Sequence, residues 1–283
     1  MTYAQKLKRG TSLCFTHSAE YEALKTLHDA GIDCVEFSFN FDTYMNKMNF
    51  PECAEEYAAA AKEIGIELWS IHLPFSRKLD ISSADDEQRE LILNTNKKLI
   101  AAAGRAGFKV AVLHPSSEPI TDEDRPSRIA RSREGIIMLR EAADAAGMAL
   151  AVENLPRTCL CNRSGEMIDL LKGTGADIVF DTNHSLIEEN VAFLSALAAS
   201  GIKLRTLHIS DYDFVDERHR LPGDGLNNWA GILSVLEGVG YDGPLMYEVP
   251  DIPKEREQIS VDELVANMKA LAAGQLTYFL ERK

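Results

Sequence analysis

Eight short apolar runs recur along the chain, and a longer segment follows each one. The runs are nearly continuous rather than alternating, which is typical of strands that are buried on both faces of a parallel sheet. The longer segments, such as SAEYEALKTLHDAG and AEEYAAAAKEIG, carry apolar residues at helical spacing and end near a glycine. We predict strands at 10–15, 33–39, 67–73, 109–114, 149–154, 177–182, 204–210 and 244–249.

This strict alternation of strand and helix predicts an α/β fold. About 35 residues per unit fits a single (β/α)8 TIM barrel over residues 1–283. A doubly wound sheet is the alternative, but CFTHSAE stands after the first strand where that fold carries a glycine-rich phosphate turn. We also expect Ser83 to cap the third helix and a last helix over about 260–281 to close the barrel.

Ionisable side chains stand where the later predicted strands end. In a TIM barrel these carboxyl ends form the active face, so the side chains should converge on one mouth. Ionisable groups are costly to bury unless they are paired or bound to a metal. On successive strands, the third to the eighth, these residues are His72, His114, Glu153, Asp181, His208 and Glu248.

Four of these residues form a donor set of oxygen and imidazole atoms without a thiolate: Glu153, Asp181, His208 and Glu248. Such a set suits Mn²⁺, Zn²⁺, Co²⁺ or Mg²⁺, and the imidazole makes Mg²⁺ the least suitable of these ions. For a lone histidine at a strand end, a structural hydrogen bond is the alternative. For the four together, we expect one divalent metal ion.

Three further polar residues could support such a site. Glu36 on the second strand could orient a ligand or substrate, or form a buried salt bridge. Asp211 could hydrogen-bond His208 or the substrate. Arg157 could bind an anionic group such as phosphate, or form a salt bridge at the rim.

The stretch DERHRLPGDG, residues 216–225, follows the seventh strand and should hang over the mouth. Its proline and glycines bend the chain, so that Glu217 and His219 can point inward beside His184. These three side chains could grip a substrate or hold an additional metal, and a solvated loop is the third alternative.

Composition and charge limit the classes of partner and the compartment that we expect. The chain is 45% hydrophobic and 26% charged, with a net charge of −14. That charge disfavours nucleic acids and anionic membranes, because both are polyanions. The odd number of cysteines, five, favours a reduced compartment. The start MTYAQKLKRG lacks the apolar core of a signal peptide, and no apolar run approaches the roughly 20 residues of a membrane span, so we expect a cytoplasmic protein.

Several short motifs give the chain a resemblance to a known superfamily. They run in order GIDCVEFSF, IHLPF, LHPSS, VENLPRT, FDTNH, LHISD, HRLPGDG and MYEV. On these the chain resembles the xylose isomerase-like TIM-barrel superfamily, and it is most similar to the sugar phosphate isomerase/epimerase branch, which is related to the ketose 3-epimerases and endonuclease IV. The order of the motifs is specific to the superfamily, but not to one reaction.

The resemblance implies a metal-dependent sugar or sugar phosphate isomerase or epimerase that transfers a proton next to a carbonyl. Glu153 and Glu248 would serve as acid and base besides binding the metal with Asp181 and His208. The epimerases carry an acidic residue where Cys159 stands and an arginine where Phe214 stands, so the substrate stays open. The residues expected to contact substrate are His72, His114, His184, Glu217 and His219.

Three other classes remain open. The endonuclease IV branch binds three zinc ions through residues like those just named, so additional zinc ions are conceivable, although the net charge of −14 weighs against a DNA substrate. A lyase of the same superfamily, such as an inosose or dehydroshikimate dehydratase, would use the same metal. A sugar-binding barrel without activity is the third. We expect a small-molecule sugar or polyol as partner, no nucleic acid and no membrane, and pairing into a homo-oligomer is conceivable.

Overall fold

The computed structural model describes residues 1–38, 50, 52–253 and 257–276. A short 3-10 helix over Ala4–Lys6 precedes the first strand. The strands are β1 (Arg9–Ser12), β2 (Cys34–Ser38), β3 (Glu67–His72), β4 (Val110–Leu113), β5 (Ala149–Glu153), β6 (Asp177–Asp181), β7 (Leu204–His208) and β8 (Leu245–Tyr247). The helices that follow them are α1 (Tyr21–Ala30), α2 (Ala54–Ile64), α3 (Asp86–Ala106), α4 (Arg125–Ala145), α5 (Ser164–Leu171), α6 (Asn190–Ala199), α7 (Trp229–Gly238) and α8 (Val261–Ala272).

The strands form one parallel sheet in the order β7-β6-β5-β4-β3-β2-β1-β8. Ile209 joins the two ends of this sheet. Its amide donates to the carbonyl of Met246 at 2.8 Å, and its carbonyl accepts from the amide of Glu248 at 3.1 Å. The sheet therefore curves into a barrel with one helix after each strand, and the prediction of a (β/α)8 TIM barrel is confirmed.

The predicted strands extend too far at their carboxyl ends. The run 204–210 ends as a strand at His208, and the run 244–249 ends at Tyr247. Apolar character continues because the chain stays buried as it turns into the loops, for example at Ile209 and Val249. Periodicity alone cannot separate such buried loop starts from strand. Residue 39 of the second predicted strand lies outside the described part of the chain.

Two helix boundaries differ from the prediction. Helix α3 begins at Asp86, and the Asp85 carboxylate caps it by accepting from the amides of Glu87 and Gln88 at 3.0 and 3.1 Å. Ser83 is therefore not the cap, because Asp85 stands nearer to the free amides of the first turn. Helix α8 ends at Ala272 rather than near 281, and residues 277–281 of that prediction lie outside the described residues.

The interior of the barrel is apolar directly below the mouth. Side chains two residues apart on a strand share a face, so the residue two before each strand end lies one layer deeper. Trp69 lies among the side chains of this layer and donates from Nε1 to Thr206 Oγ1 at 3.2 Å. The apolar members that surround it are Val110, Val112, Ala151 and Val179.

Within the part of the chain that the structure describes, no helix has both the length and the apolar character needed to cross a membrane.

Candidate metal centre

Four strands deliver ligands to one point at the mouth of the barrel. Glu153 ends β5, Asp181 ends β6, His208 ends β7 and Glu248 follows β8 directly. One ligand atom of each residue lies within 4.8 Å of the others. The convergence that the sequence predicts for these four is therefore present in the structure.

His208 lies at the centre of this group. Its Nδ1 atom is 2.9 Å from Glu153 Oε1, 3.3 Å from Glu248 Oε2 and 3.9 Å from Asp181 Oδ2. All four side chains are buried or nearly so. Three carboxylates and one imidazole nitrogen thus face a common space that water hardly reaches.

The buried oxygens of this group lack the partners that burial demands. Asp181 Oδ1 accepts from the amide of Asn183, but Oδ2 is buried and has no hydrogen-bond donor among the described residues. Glu153 Oε2 likewise accepts no hydrogen bond, although the Nε2 atoms of His72 and His114 lie 3.3 and 3.2 Å away. An unsatisfied buried polar group costs about 1–3 kcal/mol, and more when it is charged. A divalent cation would satisfy these oxygens, so the donor set fits such an ion.

The crowding of carboxylates also perturbs their ionisation. Burial raises the pKa of Asp181 well above its usual value, and the neighbouring charges of Glu153 and Glu248 act in the same direction. Burial also opposes ionisation of Glu153, but the nearby His208 and His114 outweigh it and hold the pKa of Glu153 well below its usual range. The protein side chains alone therefore supply too little positive charge around Asp181, and a divalent ion would supply it.

Glu36 holds the outer side of the central histidine. His208 Nε2 lies 3.0 and 3.1 Å from the two carboxylate oxygens of Glu36, and Ser70 Oγ donates to Glu36 Oε2 at 2.7 Å. A carboxylate behind a metal-binding histidine fixes the orientation of the ring and raises its basicity. The contact fits both hypotheses for Glu36, since a carboxylate that orients the His208 ring also forms a buried salt bridge with it when the ring is protonated.

His72 and His114 border the Glu153 side of the site. With Glu153 and His208, His72 makes a second group whose ligand atoms lie within 4.8 Å of one another. Burial lowers the pKa of His114 to about 4, so this imidazole is neutral near pH 7. The ring of Phe75 stacks on His114 with 3.7 Å between the ring centroids. His114 is thus packed from one side and turned toward the site on the other.

His184, Glu217 and His219 surround the opening, as the sequence predicts for the loop after β7. His184 Nε2 is 3.0 Å from Glu217 Oε1, and His184 Nδ1 is 2.9 Å from the carbonyl oxygen of Asn154. His219 Nδ1 lies 3.1 Å from the carbonyl oxygen of Glu248. The loop therefore contacts the site from above through two of its side chains.

Asp211 does not take the place that the sequence suggested, beside His208 or the substrate. Its carboxylate accepts from Trp229 Nε1 at 2.9 Å. It also accepts from the amides of Tyr212, Gly223 and Asn227 at 3.0, 2.8 and 3.0 Å. Four donors saturate the carboxylate, so Asp211 shapes the loop after β7 instead of reaching the site.

Arg157 forms salt bridges at the rim. Its guanidinium lies 2.9 Å from Glu118, 2.9 Å from Asp216 and 2.7 Å from Glu217. The sequence allowed either an anion-binding role or a rim salt bridge for Arg157, and the structure shows the rim salt bridge. The sequence spacing gave no sign of these partners, because they come from two other loops, the one after β4 and the one after β7.

A cavity of about 370 Å³ opens onto the site. Glu153, Glu248 and three histidines form its polar floor and side, and Phe75, Leu155 and Pro156 give it an apolar wall. The cavity also reaches side chains that the sequence reasoning did not single out as site residues, although LHPSS contained two of them. These are Arg77, Ser116, Ser117 and Glu118.

The sequence model of the family described as xylose isomerase-like TIM barrel matches residues 24–270. The chain belongs to this family. The same fold recurs in solved structures over almost the whole chain. A D-tagatose 3-epimerase-like protein superposes with a TM-score of 0.79 at 20% identity, covering 95% of this chain and 97% of the other. The 3-keto-D-glucoside 4-epimerase YcjR from E. coli superposes with a TM-score of 0.75 at 20% identity, covering 94% and 99%.

Two relatives found by sequence have a higher identity to this chain than these two structures do. The ketose 3-epimerase of Arthrobacter globiformis is 27% identical over 241 residues, which cover 81% of this chain and 76% of the relative. An uncharacterised protein of Methanocaldococcus jannaschii is also 27% identical, over 197 residues that cover 66% and 67%.

Proposed function

We propose that this protein is a divalent-metal-dependent isomerase or epimerase of a sugar or sugar-like polyol, which transfers a proton next to a carbonyl. One observation carries the proposal. Glu153 and Glu248 place carboxylate oxygens 2.9 and 3.3 Å from the same imidazole nitrogen of His208, and both line one cavity. A metal site flanked by two carboxylates that reach the cavity suits removal and return of a proton.

The metal would be held by Glu153, Asp181, His208 and Glu248. When bound, a divalent ion polarises a carbonyl and a neighbouring hydroxyl, which acidifies the carbon next to the carbonyl. Glu36 keeps the His208 ring in place through the contact at Nε2, and Phe75 and Leu155 exclude water from one wall of the cavity.

The two glutamates are not equivalent as proton acceptors. Glu153 is surrounded by His72, His114 and His208 within 3.3 Å, and these partners keep it ionised. Burial opposes ionisation of Glu248, but the nearby His208 and His219 outweigh it and lower its pKa, less strongly than for Glu153, and the side chain retains 12% exposure at the cavity. The carboxylate whose pKa is less depressed binds a proton more readily, so Glu248 is the better first base.

The atom and the face to which the proton returns decide which product forms. Glu153 ends β5 and Glu248 follows β8, so the two carboxylates approach His208 Nδ1 from different strands, and a substrate carbon between them could receive the proton from Glu153 on the face opposite the first base. That transfer inverts the centre and gives an epimer, whereas return by the first base to a neighbouring atom gives an isomer. His114, His184 and His219 line the same cavity, where their ring nitrogens can hold substrate hydroxyls.

The named relatives support this reaction class. The relative from Arthrobacter globiformis is a ketose 3-epimerase, and the superposable structures include a 3-keto-D-glucoside 4-epimerase. Both names describe inversion at a sugar carbon. The zinc phosphodiesterase alternative finds less support. In the described residues, the two groups of three or more ligand atoms within 4.8 Å share Glu153 and His208, and thus belong to one centre.

The reaction class can be tested by exchange with solvent. The chain, loaded with Mn²⁺ or Co²⁺, is incubated in D₂O with a panel of ketoses, aldoses and their phosphates, and NMR follows the products. We expect deuterium at the carbon next to the carbonyl, with an epimer or isomer as product. Loss of water from the sugar would identify the lyase instead. No exchange in any substrate, with a metal bound, would contradict the proposal.

A further inference from the structure

Part of the cavity wall comes from the loops after β3, β4 and β5. We call this part the outer wall, and its residues are Arg77, Ser116, Ser117, Glu118 and Arg157. Two arginines would attract a substrate that carries a phosphate, because a guanidinium binds phosphate oxygens through charge-assisted hydrogen bonds. The partners of each guanidinium decide whether its charge is available to a substrate.

The charge of Arg157 is already used by carboxylates of the protein. Its Nε atom lies 2.9 Å from Glu118 Oε1, and its Nη1 atom lies 2.7 Å from Glu217 Oε2 and 2.9 Å from Asp216 Oδ1. Two of these three carboxylates, those of Glu118 and Glu217, line the cavity themselves. One positive charge thus faces three negative charges, and a phosphate here would be repelled rather than attracted.

Glu217 stays ionised in this arrangement. Burial opposes ionisation of its carboxyl group, but His184 and Arg157 outweigh burial and hold the pKa of Glu217 well below its usual range. Glu217 Oε1 lies 3.0 Å from His184 Nε2, so the carboxylate contacts both the rim and the inner part of the cavity. Its negative charge is therefore present at neutral pH.

Arg77 is held on the same glutamate. Its Nε atom donates to the backbone carbonyl oxygen of Glu118 at 3.1 Å, whereas the side chain of Glu118 pairs with Arg157. A phosphate at Arg77 would therefore come close to the Glu118 carboxylate. Glu118 thus contacts both arginines of the outer wall, one through its backbone and one through its side chain.

The loop after β7, a frequent site of phosphate binding in TIM barrels, offers no replacement cation in the described residues. Arg218 Nε lies 2.8 Å from Asp213 Oδ2, and Arg220 Nη2 lies 3.8 Å from the same oxygen. This loop contributes Glu217 and His219 to the cavity lining, and its two arginines are not part of that lining.

We propose that Glu118 is a specificity-determining residue: its carboxylate occupies Arg157 and repels a phosphate, so the outer wall selects a sugar whose far end is uncharged. Such specificity comes from a repulsive charge that is built against the competing substrate. Ser116 and Ser117 give the same wall uncharged hydroxyl groups, which suit the hydroxyls of a free sugar. The inference rests on the proposed function, since it names the class of sugar on which the metal centre would act.

The test compares each ketose of the panel with its terminal phosphate ester on wild-type chain and on Glu118→Gln, both loaded with Mn²⁺. The readout is the ratio of kcat/KM for the ester to kcat/KM for the free sugar, and circular dichroism checks folding. Asp122→Asn is the matched control, because it removes one negative charge from an exposed position in the same loop that does not line the cavity.

We expect wild type to prefer the free sugar by about tenfold or more, since like charges oppose binding of the ester. Glu118→Gln should raise the ratio about 10- to 100-fold, the worth of a hydrogen bond between charged groups, and Asp122→Asn should leave it within about twofold.

An unchanged ratio in folded Glu118→Gln, or an equal rise in Asp122→Asn, would overturn the inference and leave the proposed function intact. A wild-type chain that turns over the ester as well as the free sugar, or better, would overturn it even if Glu118→Gln failed to fold. Turnover of neither compound in any pair would contradict the proposed function, and the inference with it.

Discussion

At the scale of single residues, the two glutamates carry the proposed chemistry. Glu153→Gln and Glu248→Gln each remove a carboxylate that can accept a proton while keeping its shape. Acid–base groups contribute about 10²- to 10⁴-fold to rate, so we expect turnover to fall at least about 100-fold in either variant. Steady-state kinetics on the substrate found by solvent exchange would measure this.

The same variants should stay folded. They reduce the negative charge around Asp181, whose pKa is already raised by burial and by Glu153 and Glu248. Each variant also weakens a buried ion pair with His208, at 2.9 Å for Glu153 and 3.3 Å for Glu248, so we expect a folded protein whose melting temperature without metal is lower in Glu153→Gln than in Glu248→Gln. Activity close to wild type in both variants would refute the proposed roles of the glutamates.

Glu36 offers a second test at this scale, through metal affinity rather than turnover. Glu36→Gln weakens the acceptor behind His208 Nε2, and loss of such a partner costs about 10- to 100-fold in metal affinity. Competition with a chromogenic chelator would measure the affinity. Ser70→Ala is the control, since it removes only the hydrogen bond to Glu36 and should have a smaller effect. Unchanged affinity in Glu36→Gln would exclude the orienting role.

The strand-end residues could be predicted from sequence because parallel strands bring their carboxyl ends to one edge. The partners of Arg157 and Asp211 could not. Both make side-chain contacts between segments whose relative position depends on loop conformation, and no periodicity specifies that conformation. Their side chains are ordinary in sequence, and only the folded loops show that one joins carboxylates and the other binds backbone amides.

At the scale of elements, the loop between β7 and α7 is built on Asp211. Gly225 lets the loop pass this carboxylate closely: a Cβ atom there would lie 2.3 Å from Asp211 Oδ1 and 2.4 Å from the carbonyl oxygen of Tyr212. The motif HRLPGDG therefore has a structural role in the loop and also lies over the site. Gly225 is required by packing, and His219 in the motif and Glu217 just before it reach the mouth.

Gly225→Ala should therefore disturb the loop. Overpacking of this kind costs about 1–3 kcal/mol, and we expect a matching loss in chemical denaturation together with reduced turnover. Gly238→Ala is the control in the next element, helix α7, where an added Cβ meets no atom within 4 Å. Equal stability of the Gly225→Ala variant and wild type would show that the loop tolerates the added group.

The order of the elements was predictable because buried parallel strands and amphipathic helices have distinct periods. Their boundaries were less so. Ser83 and Asp85 are both good caps in sequence, and only the start of α3 at Asp86 selects between them. Apolar residues that follow β7 and β8 are buried in loops, where the same hydrophobic signal has another cause.

At the scale of the whole molecule, the proposed metal ion would join strands from half of the barrel. Its ligands lie on β5, β6, β7 and just after β8, so a bound ion would link elements that are distant in sequence. A ligand that binds only the folded state stabilises it by about 2.7 kcal/mol at 100 times its dissociation constant. For a chain of this size we expect the melting temperature to rise by roughly 5 °C or more on adding Mn²⁺ to stripped protein. An unchanged melting temperature at saturating metal would argue against a site that joins these strands.

The metal content of wild-type chain purified without added metal, measured with turnover before and after chelation, tests the central claim most directly. The account predicts one equivalent of a divalent ion such as Mn²⁺, Co²⁺, Zn²⁺ or Mg²⁺, loss of turnover on chelation and its return when the ion is restored. A chain that holds no metal and keeps full turnover in chelator would contradict it.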